Sequence, residues 1–267
     1  MSNEQRGRRY AIVSGKGGVG KTVITANLAA AFASSGHRTL VLDADLGLAN
    51  LDVILGINPS GTIQDVLAGN LTLEEVLVRT RGGFDLLPAG SGTLETNLLT
   101  PDLATGLSQL LDKLDTRYDS ILFDAGAGIG EVVLFFARMA DEIVLIVTPE
   151  PTSLMDAYAM VKILALRFGC RDFRLVVNQA DPHHPEQAGT VIANHLQQVV
   201  SRFLCVDGGL PIRLHFTGSL PLDPAVSRSV TRQRLLAEND PQAPVAAIIT
   251  RLAESLQTGL PGRTQEH

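Results

Sequence analysis

Eight residues, Gly15-Lys16-Gly17-Gly18-Val19-Gly20-Lys21-Thr22, carry the most decisive chemistry in the chain. Their glycines let successive backbone N–H groups turn inward around a phosphate, and the run closes on the two side chains a nucleoside triphosphate requires. In a phosphate loop of this spacing the lysine, here Lys21, reaches the β- and γ-phosphates, and the next hydroxyl, here Thr22, ligates Mg²⁺. The candidate nucleotide-binding residues are Gly15, Gly17, Gly18, Val19, Gly20, Lys21, Thr22 and Val23. Lys16 is a second cation on the same loop, either a surface lysine or a further charge over the phosphates.

Two apolar runs end in carboxylates suited to the same phosphates. Ser120-Ile121-Leu122-Phe123 runs into Asp124, which fits a carboxylate that holds Mg²⁺ through a water, since Mg²⁺ sheds its hydration reluctantly. Ala125-Gly126-Ala127-Gly128 follows, a loop whose N–H groups can approach a γ-phosphate. Thr39-Leu40-Val41-Leu42 runs into Asp43-Ala44-Asp45, and Asp45 is placed to orient or polarise an attacking water. Thr22, Asp45 and Asp124 make the candidate metal-side oxygen set, and Asp45, Lys21 and Lys16 the candidate catalytic set. Asp43 and Asp45 could equally cap the following turn. Val176-Val177 ends in Asn178, whose amide donates and accepts, which suits an adenine edge or a strand-end turn.

These groups need a scaffold that brings strand ends together. Tyr10-Ala11-Ile12-Val13 reads as a buried strand entering the loop, and Thr22 to Ser35 as an Ala/Leu-rich helix stopped by Gly36. Glu142 to Thr148 and Phe173 to Val177 read as further strands. Leu103 to Leu114, Val132 to Ala140, and Ser153 to Phe168 with a Ser153 cap read as helices. Thr72 with Glu75 offers a capping box for a helix starting after Asn70. This alternation predicts an α/β fold of the P-loop NTPase type, a mainly parallel twisted sheet with helices on both faces. Ligands of such sheets gather beyond the carboxyl ends of the strands, where the groups above stand. One domain over 1–267 is expected, with a core from about 9 to 258 and flexible polar termini.

Bulk properties narrow the setting. The 267 residues are 45% hydrophobic, ample for a large core, and the net charge of −6 argues against a broad nucleic-acid footprint. Cys170 and Cys205 lie far apart with no CxxC spacing, which suits unpaired thiols in a reducing cytosol. No stretch is as long as a membrane span, and Met1 to Arg6 is too polar for a signal peptide, so a cytoplasmic protein is expected.

The loop from Lys16 to Thr22 resembles the deviant Walker A motif of the MinD/ParA family. The likeness continues through Asp43-Ala44-Asp45-Leu46-Gly47-Leu48-Ala49-Asn50-Leu51-Asp52, Leu87-Pro88-Ala89-Gly90-Ser91-Gly92 and Asp124 to Gly128. Thr148-Pro149-Glu150-Pro151-Thr152-Ser153 followed by Asp156-Ala157-Tyr158 most resembles the FlhG (FleN) branch, which limits flagellar number and placement. Asp124 to Gly128 also lacks the proline that MinD itself carries there. The resemblance implies a slow Mg²⁺-dependent ATPase that forms an ATP-gated homodimer, with ATP and Mg²⁺ as cofactors. It implies that Lys16 crosses to the partner's phosphates, that Asp45 is the switch I aspartate, that Asp124 is the Walker B residue with the second switch after it, and that Asn178, Pro221 and Asp223 surround adenine. It also implies a protein partner, a flagellar regulator or an FlhF-like GTPase. FlhG proteins usually carry an N-terminal DQA-containing segment that activates the GTPase FlhF. Only nine mostly polar residues precede Tyr10, and Glu4-Gln5-Arg6 is no substitute, so GTPase activation is not expected of them.

Other readings compete on particular residues. Val245, Ile248, Ile249, Leu252 and Leu256 form a stripe like the C-terminal membrane helix of MinD-like proteins, which implies reversible contact with the inner face of the membrane. The polar face lacks a basic cluster, and a final helix packed on the sheet fits better. Arg228, Arg232 and Arg234, in one expected helix, are the DNA-contact candidates of a ParA-type positioning protein, and an acidic chain makes DNA an improbable partner. A MinD-type regulator of the division site is the other alternative. His183-His184 lacks useful metal spacing and fits a solvated loop. Iron–sulfur relatives need cysteines beside a switch, and related tyrosine kinases need more than the three tyrosines present.

Overall fold

The computed structural model describes residues 6–47, 49–90, 99–204 and 211–260. Met1, Glu4, Gln5, Leu48, Ser91, Gly92 and Cys205, named above, lie outside them. In chain order the elements are β1 (Arg8–Ser14), α1 (Lys21–Ser34), β2 (Thr39–Ala44), α2 (Leu51–Leu55), α3 (Ile63–Leu67), α4 (Leu73–Val76), β3 (Val78–Arg79) and β4 (Asp85–Leu87). There follow α5 (Pro101–Asp115), β5 (Ser120–Ala127), α6 (Glu131–Met139), β6 (Glu142–Val147), α7 (Pro151–Phe168) and β7 (Asp172–Ala180). The chain continues with α8 (Pro185–Leu204), β8 (Arg213–Pro221), α9 (Pro224–Thr231), α10 (Leu236–Asn239) and α11 (Pro244–Gln257).

The strands form one sheet in the order β3-β4-β2-β5-β1-β6-β7-β8, parallel except for the β3–β4 pair. Period-two alternation decides which side chains face which layer. Ala11 and Val13 of β1 enter the core beneath α5, α6, α7 and α8, whereas Tyr10 and Ile12 enter the one beneath α1 and α11. Both sheet faces are therefore buried, as the continuous apolar runs require.

Several expectations need correction. Ser153 does not cap α7: Glu150 occupies the N-cap and Pro151 the first turn, where its missing N–H costs nothing. The Ser153 hydroxyl instead accepts the Thr148 N–H at 3.0 Å. β5 runs on through Ala127, so Asp124 and Gly126 lie within the strand rather than after it. Arg232 caps the C-terminus of α9 and Arg234 lies past it, so the three arginines do not share a helix. Thr72 and Glu75 form the expected capping box, on α4. Val245, Ile249, Leu252 and Leu256 are buried in the core beneath α1, so this stripe serves packing in the described fold. Among the described residues no helix is long and apolar enough to cross a membrane. His183 and His184 follow Asp181, whose carboxylate accepts both their N–H groups at 2.8 and 3.2 Å in a local turn.

Candidate nucleotide site

β1 delivers the glycine loop onto the N-terminus of α1, and the backbone there is one only glycine adopts without strain. Gly18 and Gly20 have φ of 76° and 91°. A Cβ at Gly20 would lie 2.5 Å from Nδ2 of Asn178, and one at Gly15 would lie 2.3 Å from the Asp156 backbone. Glycine is therefore required at Gly20 both for its dihedral and for the approach of β7, and at Gly15 for the approach of α7.

Lys21 opens α1 and is only 8% exposed. Burial lowers its pKa, opposed by the charges of Asp124 and then Asp45. Asp124 is 3% exposed and accepts a hydrogen bond from the Thr25 hydroxyl at 3.0 Å. Burial pushes its pKa up to about 6, against the pull of Lys21 and of hydrogen bonds from Thr22 and Thr25. Asp43 stands beside it in the β2–β5 register, and burial and the Asp124 charge raise its pKa well above the carboxylate range. Asp43 also accepts the Asp45 N–H at 3.1 Å and faces the Leu51 N–H at 3.5 Å, so it pins the turn carrying Asp45. The Asp45 carboxylate lies 3.4 Å from where a Gly126 Cβ would stand. The segment after Asp124 also meets the end of β1 just before the phosphate loop, through Gly128 N–H to the Ser14 carbonyl at 3.0 Å.

The arrangement fits Mg²⁺ with a triphosphate. Buried carboxylates, a lysine and a hydroxyl converge on a glycine cradle that a Cβ would fill. Among the described residues there is no group of three or more His, Cys, Asp and Glu side chains able to hold a metal ion. Mg²⁺ in such sites takes most of its ligands from phosphates and water, so few protein donors are needed.

Beside the loop a cavity of about 360 Å³ is lined by Gly20, Val23, Asn178, Pro221, Asp223 and Val226, among others. The Asn178 amide donates to the Val19 carbonyl at 2.7 Å. Asp223 caps α9 through the Ala225 N–H at 2.8 Å. Lys16 stands apart from this group: its ammonium is paired with Glu150 and hydrogen-bonded to the Thr152 hydroxyl at 3.0 Å.

A family profile described as an AAA domain matches residues 7–167, more than half of the chain. Antiactivator FleN of Pseudomonas aeruginosa is 38% identical over 96% of this chain and 89% of its own length. The chain belongs to the MinD/ParA family of P-loop ATPases. This MinD/ParA-family chain is also similar to the flagellum site-determining protein YlxH of Helicobacter pylori, at 32% identity over 97% of this chain and 86% of that one. Its fold matches the septum site-determining protein MinD of Pyrococcus horikoshii complexed with Mg-ADP, with a TM-score of 0.74 and 26% identity. That match covers 94% of this chain and 97% of the other.

Sequence reasoning on this MinD/ParA-family ATPase missed Thr25, Glu150 and Thr152. Thr25 was legible as the residue one turn beyond Lys21, on the same face of α1. Glu150 and Thr152 were read as marks of family likeness, with no signal that they hold Lys16.

The raised pKa of Asp124 has a consequence with a definite sign. A carboxyl whose folded pKa lies near 6 and unfolded pKa near about 4 binds its proton more tightly when folded. Nucleotide-free protein is therefore expected to gain stability from this group as pH falls from 6 toward 4, and to lose it as pH rises through 6. Thermal unfolding between pH 4 and 7 reads this, with Asp124→Asn losing that component of the slope. An identical slope in the variant would contradict the assignment.

Proposed function

We propose that the chain is a slow Mg²⁺-dependent ATPase that dimerises over ATP, and that its ATP-bound dimer sets the number and placement of flagella. The observation that carries the dimer is the position of Lys16. It rides on the phosphate loop, remains 35% exposed while paired with Glu150, and is the cation that buried Lys21 does not duplicate. Exposed Met155 on α7 and Ile129 after the second switch flank this face, at 71% and 45% exposure, and supply apolar surface for a second copy. A cation that arrives only on dimerisation is worth most in a closed, dry site.

In this reading Lys21 and the loop N–H groups bind the phosphates, and Asp45 orients the water that attacks the γ-phosphorus as the bond to the β-bridging oxygen breaks. Thr22, with Asp124 and Asp45 acting through water, would hold Mg²⁺, which neutralises charge on the β- and γ-phosphates when bound. Asn178, Pro221 and Asp223 surround adenine. The flagellar role follows from the likeness to FleN and YlxH.

Light scattering of the eluting protein tests the switch: dimer with Mg²⁺ and ATP, monomer with Mg²⁺ and ADP. Equal masses in both would sink it. Deletion of the gene, followed by counting flagella by electron microscopy, tests the role separately, and an unchanged count would exclude it.

A further inference from the structure

Between α2 and the segment after α9 lies a second cleft of about 180 Å³, away from the residues assigned to the phosphates. Its walls include Leu55 to Ile57 at the end of α2, the β3–β4 turn with Arg79, Arg81 and Gly82, the residues Gln233 and Arg234, and Glu238. Arg79 is held by Asp85 at 3.0 Å. Arg81 and Arg234 are exposed and form no ion pair among the described residues. Among the described lining residues Glu238 is the one carboxylate, so the cleft is cationic within a chain of net charge −6.

The two arginine-bearing walls are fixed against each other. A Cβ at Gly82 would lie 2.3 Å from Leu235, so the turn packs directly on the segment that carries Arg234. Two exposed arginines without an ion pair among the described residues line one small cleft, and guanidinium forks suit a phosphoryl group, whose oxygens accept paired N–H bonds. The volume of about 180 Å³ admits a phosphoryl group.

The cleft is also tied to the reaction site at both ends. Gln233, with a left-handed φ of 53°, donates from Nε2 to the Val53 carbonyl of α2 at 2.9 Å. α2 begins at Leu51, beside the Asp43 carboxylate that pins Asp45. On the other side the Leu236 N–H donates to Asn27 at 2.9 Å, and both residues line the base cavity.

We propose that this cleft is a second anion site, which binds a small phosphoryl-bearing ligand and couples its occupancy to the turn carrying Asp45. Binding stands on the cleft alone, and the coupling rests on the ATPase reading. The test is calorimetric titration of inorganic phosphate into the full chain saturated with Mg²⁺ and ATPγS, so that the phosphate loop is already filled. One further phosphate per chain is expected, weakened at least about tenfold in Arg81→Gln/Arg234→Gln. Gln233→Gly keeps the left-handed backbone and drops the bond to Val53. At phosphate concentrations that saturate its own cleft, which Gln233 helps to line, it should lose the phosphate-dependent change in ATP turnover.

No phosphate binding, or binding unchanged by the double variant, overturns the site. A duplex DNA oligonucleotide that binds through the same arginines when phosphate does not would overturn the small-ligand class. A wild-type turnover indifferent to phosphate overturns the coupling. The preceding ATPγS titration reports the phosphate loop by itself, so failure of the ATPase reading is distinguishable from failure of the cleft.

Discussion

Asp45→Ala is expected to lower ATP turnover by about two orders of magnitude or more while leaving ATP affinity within a few-fold. The residue is half-buried, its turn is pinned by Asp43, and its carboxylate lies against Gly126 of the second switch. Such a group acts on the water rather than on the nucleotide already bound. In the proposed site, binding rests on Lys21, the glycine loop and the cavity beside it, which the substitution leaves intact. The variant should therefore accumulate as an ATP-filled dimer. Rapid-quench single turnover checks the rate, and light scattering checks the trapped dimer. Near-normal turnover would remove Asp45 from the catalytic set.

Lys16→Ala should separate binding from everything that follows it. The ammonium is engaged by Glu150 and Thr152 of its own chain, so its loss removes no contact that Lys21 makes to the phosphates. ATP affinity should change by less than about tenfold, whereas dimer formation and hydrolysis should each fall by about a hundredfold, the scale of losing one preorganised cation from a closed site. Because the lysine must leave Glu150 to act, Glu150→Gln is the companion variant. Weakening that pair should favour the ATP dimer slightly, which a dimer titration followed by light scattering measures. A Lys16→Ala protein that dimerises normally would show that the pair with Glu150 is the lysine's whole role.

The parts of this site that depend on local sequence were legible in it. The glycine loop, the strand ahead of it and the helix after it follow from spacing and periodicity, and the structure places all three as read. Asp124 was legible because a carboxylate terminating a buried apolar run is costly without a function. What stayed hidden depends on crossings between distant segments. The contacts of Gly20 with Asn178, of Gly15 with Asp156 and of Lys16 with Glu150 join the phosphate loop to segments far away in sequence. β8 was missed because its burial begins only toward its end, at Gly218, so its first half carries no alternating pattern. Ser153 was misread because a serine two residues after proline resembles an N-cap, while the proline itself occupied the first turn. Family likeness supplied Pro221 and Asp223, which no spacing argument singled out, and both line the cavity beside the phosphate loop.

The most direct test of the account mixes two inactive proteins. Lys16→Ala and Asp45→Ala are combined in equal amounts without nucleotide, ATP is added, and hydrolysis is followed. If Lys16 works across the interface, a mixed dimer holds one complete site, made from Asp45 of one chain and Lys16 of the other. Hydrolysis then rises above that of either variant alone, toward a ceiling of about one quarter of the wild-type rate, reached when half the dimers are mixed and each has one working site of two. If the mixture hydrolyses ATP no faster than the two variants do separately, Lys16 acts within its own chain and the dimer-gated mechanism is wrong.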